Sequence, residues 1–196
     1  MATTTQLNTF NVLCLHGCSQ SKDMLQSVLK NFMEICKKDK DVTFNFVFVQ
    51  AEYPHPDGGF TWYHVPLVVK DIGQIKYSPE LVNSTLDSID KIIKENNINV
   101  LMGFSQGGNV VDCYLKYREH PQIKKAVILS SYSLVNDSEP NVLDVKLLNV
   151  VSKIDEVVPW NLYPKNYVDA QLIEHDKGHK IPGNPILRQI KDFIKA

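Results

Sequence analysis

The sequence predicts an α/β fold of about six mainly parallel strands with helices on both faces. Three observations carry that prediction. Short apolar runs rich in Val, Ile and Phe recur along the chain with little polar–apolar alternation, the pattern of strands covered on both faces. Segments with helical period lie between them. The two kinds take turns, and right-handed crossovers convert such an alternation into a parallel sheet.

Behind a flexible lead-in over residues 1–9, the first strand is read at Asn11–Leu15 and the next helix at Met24–Lys37. A strand at Phe44–Val49 opens onto the irregular stretch Gln50–Pro79, whose early aromatics and clustered Pro and Gly suit an ordered loop wall. A connection this long inside a compact domain usually carries function. The clearest helix is Glu80–Glu95, where Leu81, Val82, Leu86, Ile89, Ile92 and Ile93 recur at steps of three and four. Strands at Val100–Met102, Ala126–Leu129, Leu148–Val151 and Ala170–Ile173 follow, with helices at Asn109–Arg118 and Pro185–Ile194.

The 196 residues suffice for one domain spanning 1–196 with its own core. Hydrophobic residues are 43% and charged residues 22%, close to globular averages, which argues against disorder. Lys+Arg of 21 against Asp+Glu of 22 gives net charge −1, so nothing steers the chain to nucleic acid or an anionic membrane. The basic cluster in "CKKDKD" is broken by Asp39 and Asp41 and reads as a solvated helix end. No signal-peptide pattern opens the sequence, and no apolar run reaches membrane-spanning length. Cys14, Cys18, Cys36 and Cys113 lack metal-ligand spacing, and Cys14 sits in an apolar run as a core residue. A reduced, cytoplasmic protein without metal or organic cofactor is the expectation.

In open parallel sheets, ligands bind beyond the carboxyl ends of the strands. There the chain carries "HGCSQ", "QAEYPHP", "GFSQGG", "SSYS", "SKIDEVVP" and "EHDKGHKIP" in turn. A serine, an acid and a histidine thus emerge on one edge in the order Ser, Asp, His, the order of an α/β-hydrolase with a G-x-S-x-G nucleophile elbow. Ser105 needs a base to take its proton, and an imidazole suits that task near neutral pH. A carboxylate fixes the imidazole tautomer and stabilises the imidazolium. Oxyanion donors are expected from the N–H of Gln106, at the start of the next helix, and of Cys18 in the loop after the first strand.

For the acid, Asp155 follows its strand after a short turn. Glu156 is adjacent to it, Asp137 lies upstream, and Asp144 precedes the strand, at the wrong edge. His179, beyond Gly178 in a loop able to reach Ser105, is preferred over the strand-end His175. His16 reads as a turn-holding residue, and His55 and His64 as loop or entrance residues. Trp62 and Tyr63 suit an acyl-pocket wall or plain packing equally.

On these residues the chain resembles the FSH family of small serine hydrolases. "VLCLHGCSQSKDML" is similar to the family's opening strand and oxyanion loop, "GFSQGG" to its elbow, and "SSYS" to the segment after the next strand. "IDEVVP" and "HDKGHKIP" are similar to its acid and histidine motifs. Acyl-protein thioesterases and small carboxylesterases resemble it over "LHG" and "GFSQGG". The resemblance implies an α/β-hydrolase fold, and because the chain is short for the family, a single domain with no room for a separate lid domain is expected. It also implies activity on small-molecule carboxylic esters or thioesters, with Ser105, Asp155 and His179 as triad. Besides its short length, the chain departs from the family beside the histidine, where the usual Gly-Gly-His is Lys177-Gly178-His179. Two other readings use the same residues: a catalytically silent hydrolase fold that binds a ligand, and a small serine peptidase.

Overall fold

A computed structural model describes residues 8–64, 78–134, 145–165, 167 and 169–196. Six parallel strands form the main sheet in the order β2-β1-β5-β6-β7-β8. They are β1 (Asn8–Leu15), β2 (Val42–Val49), β5 (Val100–Phe104), β6 (Lys125–Leu129), β7 (Lys146–Ser152) and β8 (Gln171–His175). The two-residue strands β3 (Tyr53–Pro54) and β4 (Phe60–Thr61) pair antiparallel inside the loop after β2. The helices are α1 (Lys22–Val28), α2 (Lys30–Lys37), α3 (Pro79–Glu95), α4 (Gln106–Tyr117) and α5 (Asn184–Lys195).

All six strands lie where the apolar runs predicted them, most extending one to three residues further. β1 begins at Asn8, so Asn8 and Thr9 of the expected lead-in belong to the sheet, while residues 1–7 lie outside the described residues. The helix expected at Met24–Lys37 is two helices, broken at Leu29, whose ψ is near 0°. The break lets Leu25, Leu29, Phe32 and Cys36 all reach the same buried cluster under the sheet.

Side chains alternate along each strand and feed two cores. Val12 and Cys14 face the cluster built with α1, α2 and α5. Leu13 and Leu15 face the cluster built with α3 and α4. Burial on both faces of the inner strands β5, β6 and β7 is why their sequences do not alternate. The central helix α4 is buried along most of its length, so its polar residues need partners. Tyr63 Oη donates to Asn109 Oδ1 at 2.7 Å, and Asp112 accepts from Tyr167 Oη at 2.5 Å and Ser133 Oγ at 2.6 Å.

The "CKKDKD" segment has a structural task. Asp39 bridges Lys191 and Lys195 of α5, each at 2.9 Å, tying α2 to the C-terminal helix. Those hydrogen bonds hold the Asp39 carboxyl well below the usual carboxylate range. Lys125 reaches the same helix from β6 and donates to the Phe193 and Ile194 carbonyls at 2.9 and 2.7 Å.

The chain runs from β1 to β2 on one side and returns to β5 on the other. The loops after β1 and β5 therefore open at the point where strand order reverses, the usual place for a ligand crevice.

Candidate active site

Ser105 follows the last residue of β5 and precedes the first of α4. Its backbone sits at φ 52° and ψ −120°, a conformation that side-chain-bearing residues avoid and that costs about 1–3 kcal/mol. The surroundings hold it there. Ser105 N donates to Leu129 O at 2.9 Å, and Ser105 O accepts from Gly108 N at 2.8 Å. Ser131 Oγ donates to the same carbonyl at 2.7 Å and accepts from Asn109 Nδ2 at 3.0 Å.

The glycines act by exclusion. A Cβ on Gly103 would run into the backbone of Gly107, and a Cβ on Gly107 would lie within 2.7 Å of His16 O and closer still to Leu15 O. Strand β5, helix α4 and the end of β1 approach so closely that only glycine fits.

Asp155 and His179 come from the loops after β7 and β8. His179 Nε2 lies 3.0 Å from Ser105 Oγ. On its far side Nδ1 lies 2.9 and 3.1 Å from the two carboxylate oxygens of Asp155. Asp155 Oδ1 also accepts from the N–H groups of Val157 and Val158 at 2.9 and 2.8 Å. With that side chain only 2% exposed, the carboxylate is fixed by backbone donors before it meets the imidazole. The Lys177-Gly178-His179 turn is held in the same fashion. Gly178, at φ 65°, donates to Ser152 Oγ at 3.1 Å, and Lys177 N donates to His175 Nδ1 at 3.1 Å. Lys177 itself pairs with Asp176 at 3.0 Å.

Of the other acids, Asp137 and Asp144 lie outside the described residues, as does 65–77 of the long loop. Glu156 places a carboxylate oxygen beside the Cα of Gly178. His175 ends β8. Since its Nδ1 accepts, its proton sits on Nε2, a buried atom without a partner among the described residues. Burial lowers its pKa. His16 is wholly buried. Its Nδ1 donates to Gly17 O at 2.7 Å, and Nε2 accepts from Ala51 N at 3.1 Å. Burial lowers its pKa too. It braces the turn after β1.

Gln106 is the first residue of α4, where a backbone N–H has no intrahelical acceptor and the helix dipole favours negative charge. Its side chain looks the other way: Oε1 accepts from Trp62 N at 2.9 Å, and Nε2 donates to Tyr63 O at 3.1 Å. Cys18 lies in the loop after β1, its Sγ 3.7 Å from Thr61 Oγ1. Gln20 shapes that loop by accepting from Gly17 N at 3.0 Å.

Trp62 and Tyr63 are 2% and 0% exposed. Trp62 Nε1 donates to His16 O at 2.8 Å, and the Tyr63 hydroxyl is engaged by Asn109. Both side chains are packed into the core. Ser131, Asn109 and Ser152 are the supporting residues that sequence reasoning missed. Their only signal was polarity, at strand ends for Ser131 and Ser152 and inside helix α4 for Asn109.

No group of three His, Cys, Asp or Glu among the described residues is disposed to hold a metal. All four cysteines are free thiols. Among the described residues no helix is long and apolar enough to cross a membrane.

A nucleophile-elbow serine on a doubly covered parallel sheet defines the α/β class of esterase folds. The profile of the serine hydrolase (FSH1) family matches residues 4–189, and the chain belongs to that family. Hydrolase phiM of Talaromyces stipitatus is 25% identical to it over 89% of this chain and 81% of its own length. Esterase CG5412 of Drosophila melanogaster is 25% identical over 91% of this chain and 70% of its own. A carboxylesterase from Mesorhizobium loti shares the fold with a TM-score of 0.70 at 17% identity, covering 95% of this chain and 88% of that one.

Proposed function

We propose that this chain is a single-domain serine esterase, active on small-molecule carboxylic esters or thioesters, with Ser105 as nucleophile, His179 as general base and Asp155 as its orienting carboxylate. One observation carries the reading: His179 joins Ser105 Oγ at 3.0 Å to the Asp155 carboxylate at 2.9 Å, within the reach proton transfer requires. The esterase names of relatives in the family support the same class.

In this mechanism His179 Nε2 takes the hydroxyl proton as Ser105 Oγ bonds to the carbonyl carbon. The backbone amides of Gln106 and Cys18 hold the oxyanion. Collapse expels the alcohol or thiol with the proton from His179 and leaves an acyl-serine. Water attacks that intermediate with His179 again as base. No step needs a metal or organic cofactor. The four free thiols suit a reducing, cytoplasmic setting.

The test is a panel of p-nitrophenyl esters and acyl thioesters run on the native chain and on Ser105→Ala. Turnover by the native chain that falls to the buffer rate in Ser105→Ala supports the proposal. Equal rates in both overturn it, and peptide anilides cleaved in place of esters would point to a peptidase.

A further inference from the structure

A cleft of about 300 Å³ opens beside His179, between α1 and the segment that follows the imidazole. Met24, Leu25 and Val28 of α1, Phe104 and Ile181 line it beside the Gln20 amide, and His179 forms part of its wall. Met24 and Val28 are 52% and 57% exposed, so one helix turn presents two large apolar side chains to water next to the reacting imidazole. An isolated exposed hydrophobe is ordinary. A pair at i and i+4 over a hollow that ends on His179 is a surface suited to an apolar group.

We infer that this cleft receives the leaving group of the substrate, and that the leaving group is an uncharged, apolar alcohol or thiol. The inference rests on the roles proposed above for Ser105 and His179. The direction follows from proton bookkeeping. When the tetrahedral intermediate collapses, the bond between carbon and the leaving oxygen or sulfur breaks. The proton that His179 Nε2 took from Ser105 moves to that departing atom, giving the free alcohol or thiol, the acyl-serine and neutral His179. The departing atom must therefore lie within about 3 Å of Nε2, and its substituent must continue along the imidazole. The cleft has the imidazole as part of its wall, and a leaving group placed there sends the acyl chain in another direction from the carbonyl carbon. The lining sets the class. Five apolar side chains favour an alkyl or aryl group. Lys180 at the edge, exposed and without an ion-pair partner among the described residues, repels a cationic one.

Two ester series separate the two sides of the carbonyl: alkyl acetates from ethyl to hexyl, and ethyl esters from acetate to hexanoate. S-hexyl thioacetate serves beside hexyl acetate to compare oxygen with sulfur. The readout is kcat/KM, which includes acylation, the step in which the leaving group departs. The native chain is expected to favour hexyl over ethyl acetate by about tenfold. Val28→Lys places a charge in the cleft at an exposed helix end. It is expected to remove most of that preference while the acyl-length ratio keeps its native value. Leu172→Lys, at an exposed site on edge strand β8, is expected to leave both ratios alone. A native chain indifferent to alcohol length overturns the inference. So does a Val28→Lys variant that alters the acyl ratio in place of the alcohol ratio, or neither ratio. In those cases turnover abolished by Ser105→Ala still supports the esterase reading. Absence of Ser105-dependent turnover on every ester overturns both.

Discussion

Ser105 and His179, the proposed nucleophile and base, are held in place by opposite means. Ser105 stands in the middle of the sheet, its backbone forced into a rare conformation by strands and a helix that touch with no room for a Cβ at Gly103 or Gly107. His179 stands beyond the edge strand β8, whose residues are largely solvent-exposed. Its turn is fixed by hydrogen bonds: Gly178 to Ser152, Lys177 to His175, and the imidazole to the Asp155 carboxylate. Steric exclusion gives one position and no alternative. Hydrogen bonds on an edge give a preferred position that yields at the cost of about 1 kcal/mol each. The elbow is thus the fixed reference, and the histidine turn is the part adjusted to meet it.

Paired glycine substitutions probe that contrast most strongly. Gly107→Ala drives a methyl group into the backbone of β1 and is expected to cost more than about 4 kcal/mol, seen as loss of soluble folded protein or collapse of the melting temperature. Gly178→Ala meets only the end of the Glu156 side chain, which can swing aside. It is expected to cost about 1 kcal/mol for the positive φ and to leave a folded protein. Similar melting curves for the two variants would break the distinction.

Asp155→Asn comes next. The amide oxygen can still accept from Val157 and Val158, so the fold is expected to survive. The amide N–H₂ would then face His179 Nδ1 and favour the wrong tautomer. A fall of about 10³–10⁴ in kcat with a melting temperature near native is the expected result. Removing Ser152 Oγ by Ser152→Ala is milder, because it leaves Gly178 N without its acceptor while Ser105, His179 and Asp155 keep their atoms. Steady-state kinetics should show kcat lower by about tenfold with KM little changed. A Ser152→Thr variant, which keeps the hydroxyl, should restore most of it.

The smallest effect is on pH. Burial depresses His16 and His175 below the ordinary imidazole value, so between their folded values and about 6.5 the unfolded chain binds more protons than the folded one. Stability is then full above about pH 6.5 and falls as pH drops below it. His16→Asn should flatten part of that slope in chemical denaturation at pH 5 to 7.5.

The two regions also differ in how far they can be read from sequence. The elbow is legible because its constraint demands unusual residues: glycines around one serine, after an apolar run, admit few other structures. The proposed acid and histidine, Asp155 and His179, stand out by order and strand-end position. The break at Leu29 is not, since leucine is a good helix former and the interruption serves burial of Leu25, Leu29, Phe32 and Cys36 in a core that only the folded chain has. The β3–β4 hairpin is too short to carry a pattern. Trp62 and Tyr63 were ambiguous because an aromatic pair in a loop suits either a pocket or a core. Their burial depends on Gln106 and Asn109, far along the chain. Ser131 and Ser152 stayed hidden for the same reason: their hydroxyls matter through long-range contacts with Ser105 and Gly178.

The most direct test of the central claim is to treat the native chain with a fluorophosphonate and map the adduct by peptide mass spectrometry. The account predicts one modification, on Ser105, formed much more slowly in His179→Ala. An unmodified Ser105, or an adduct elsewhere on an active chain, would contradict it.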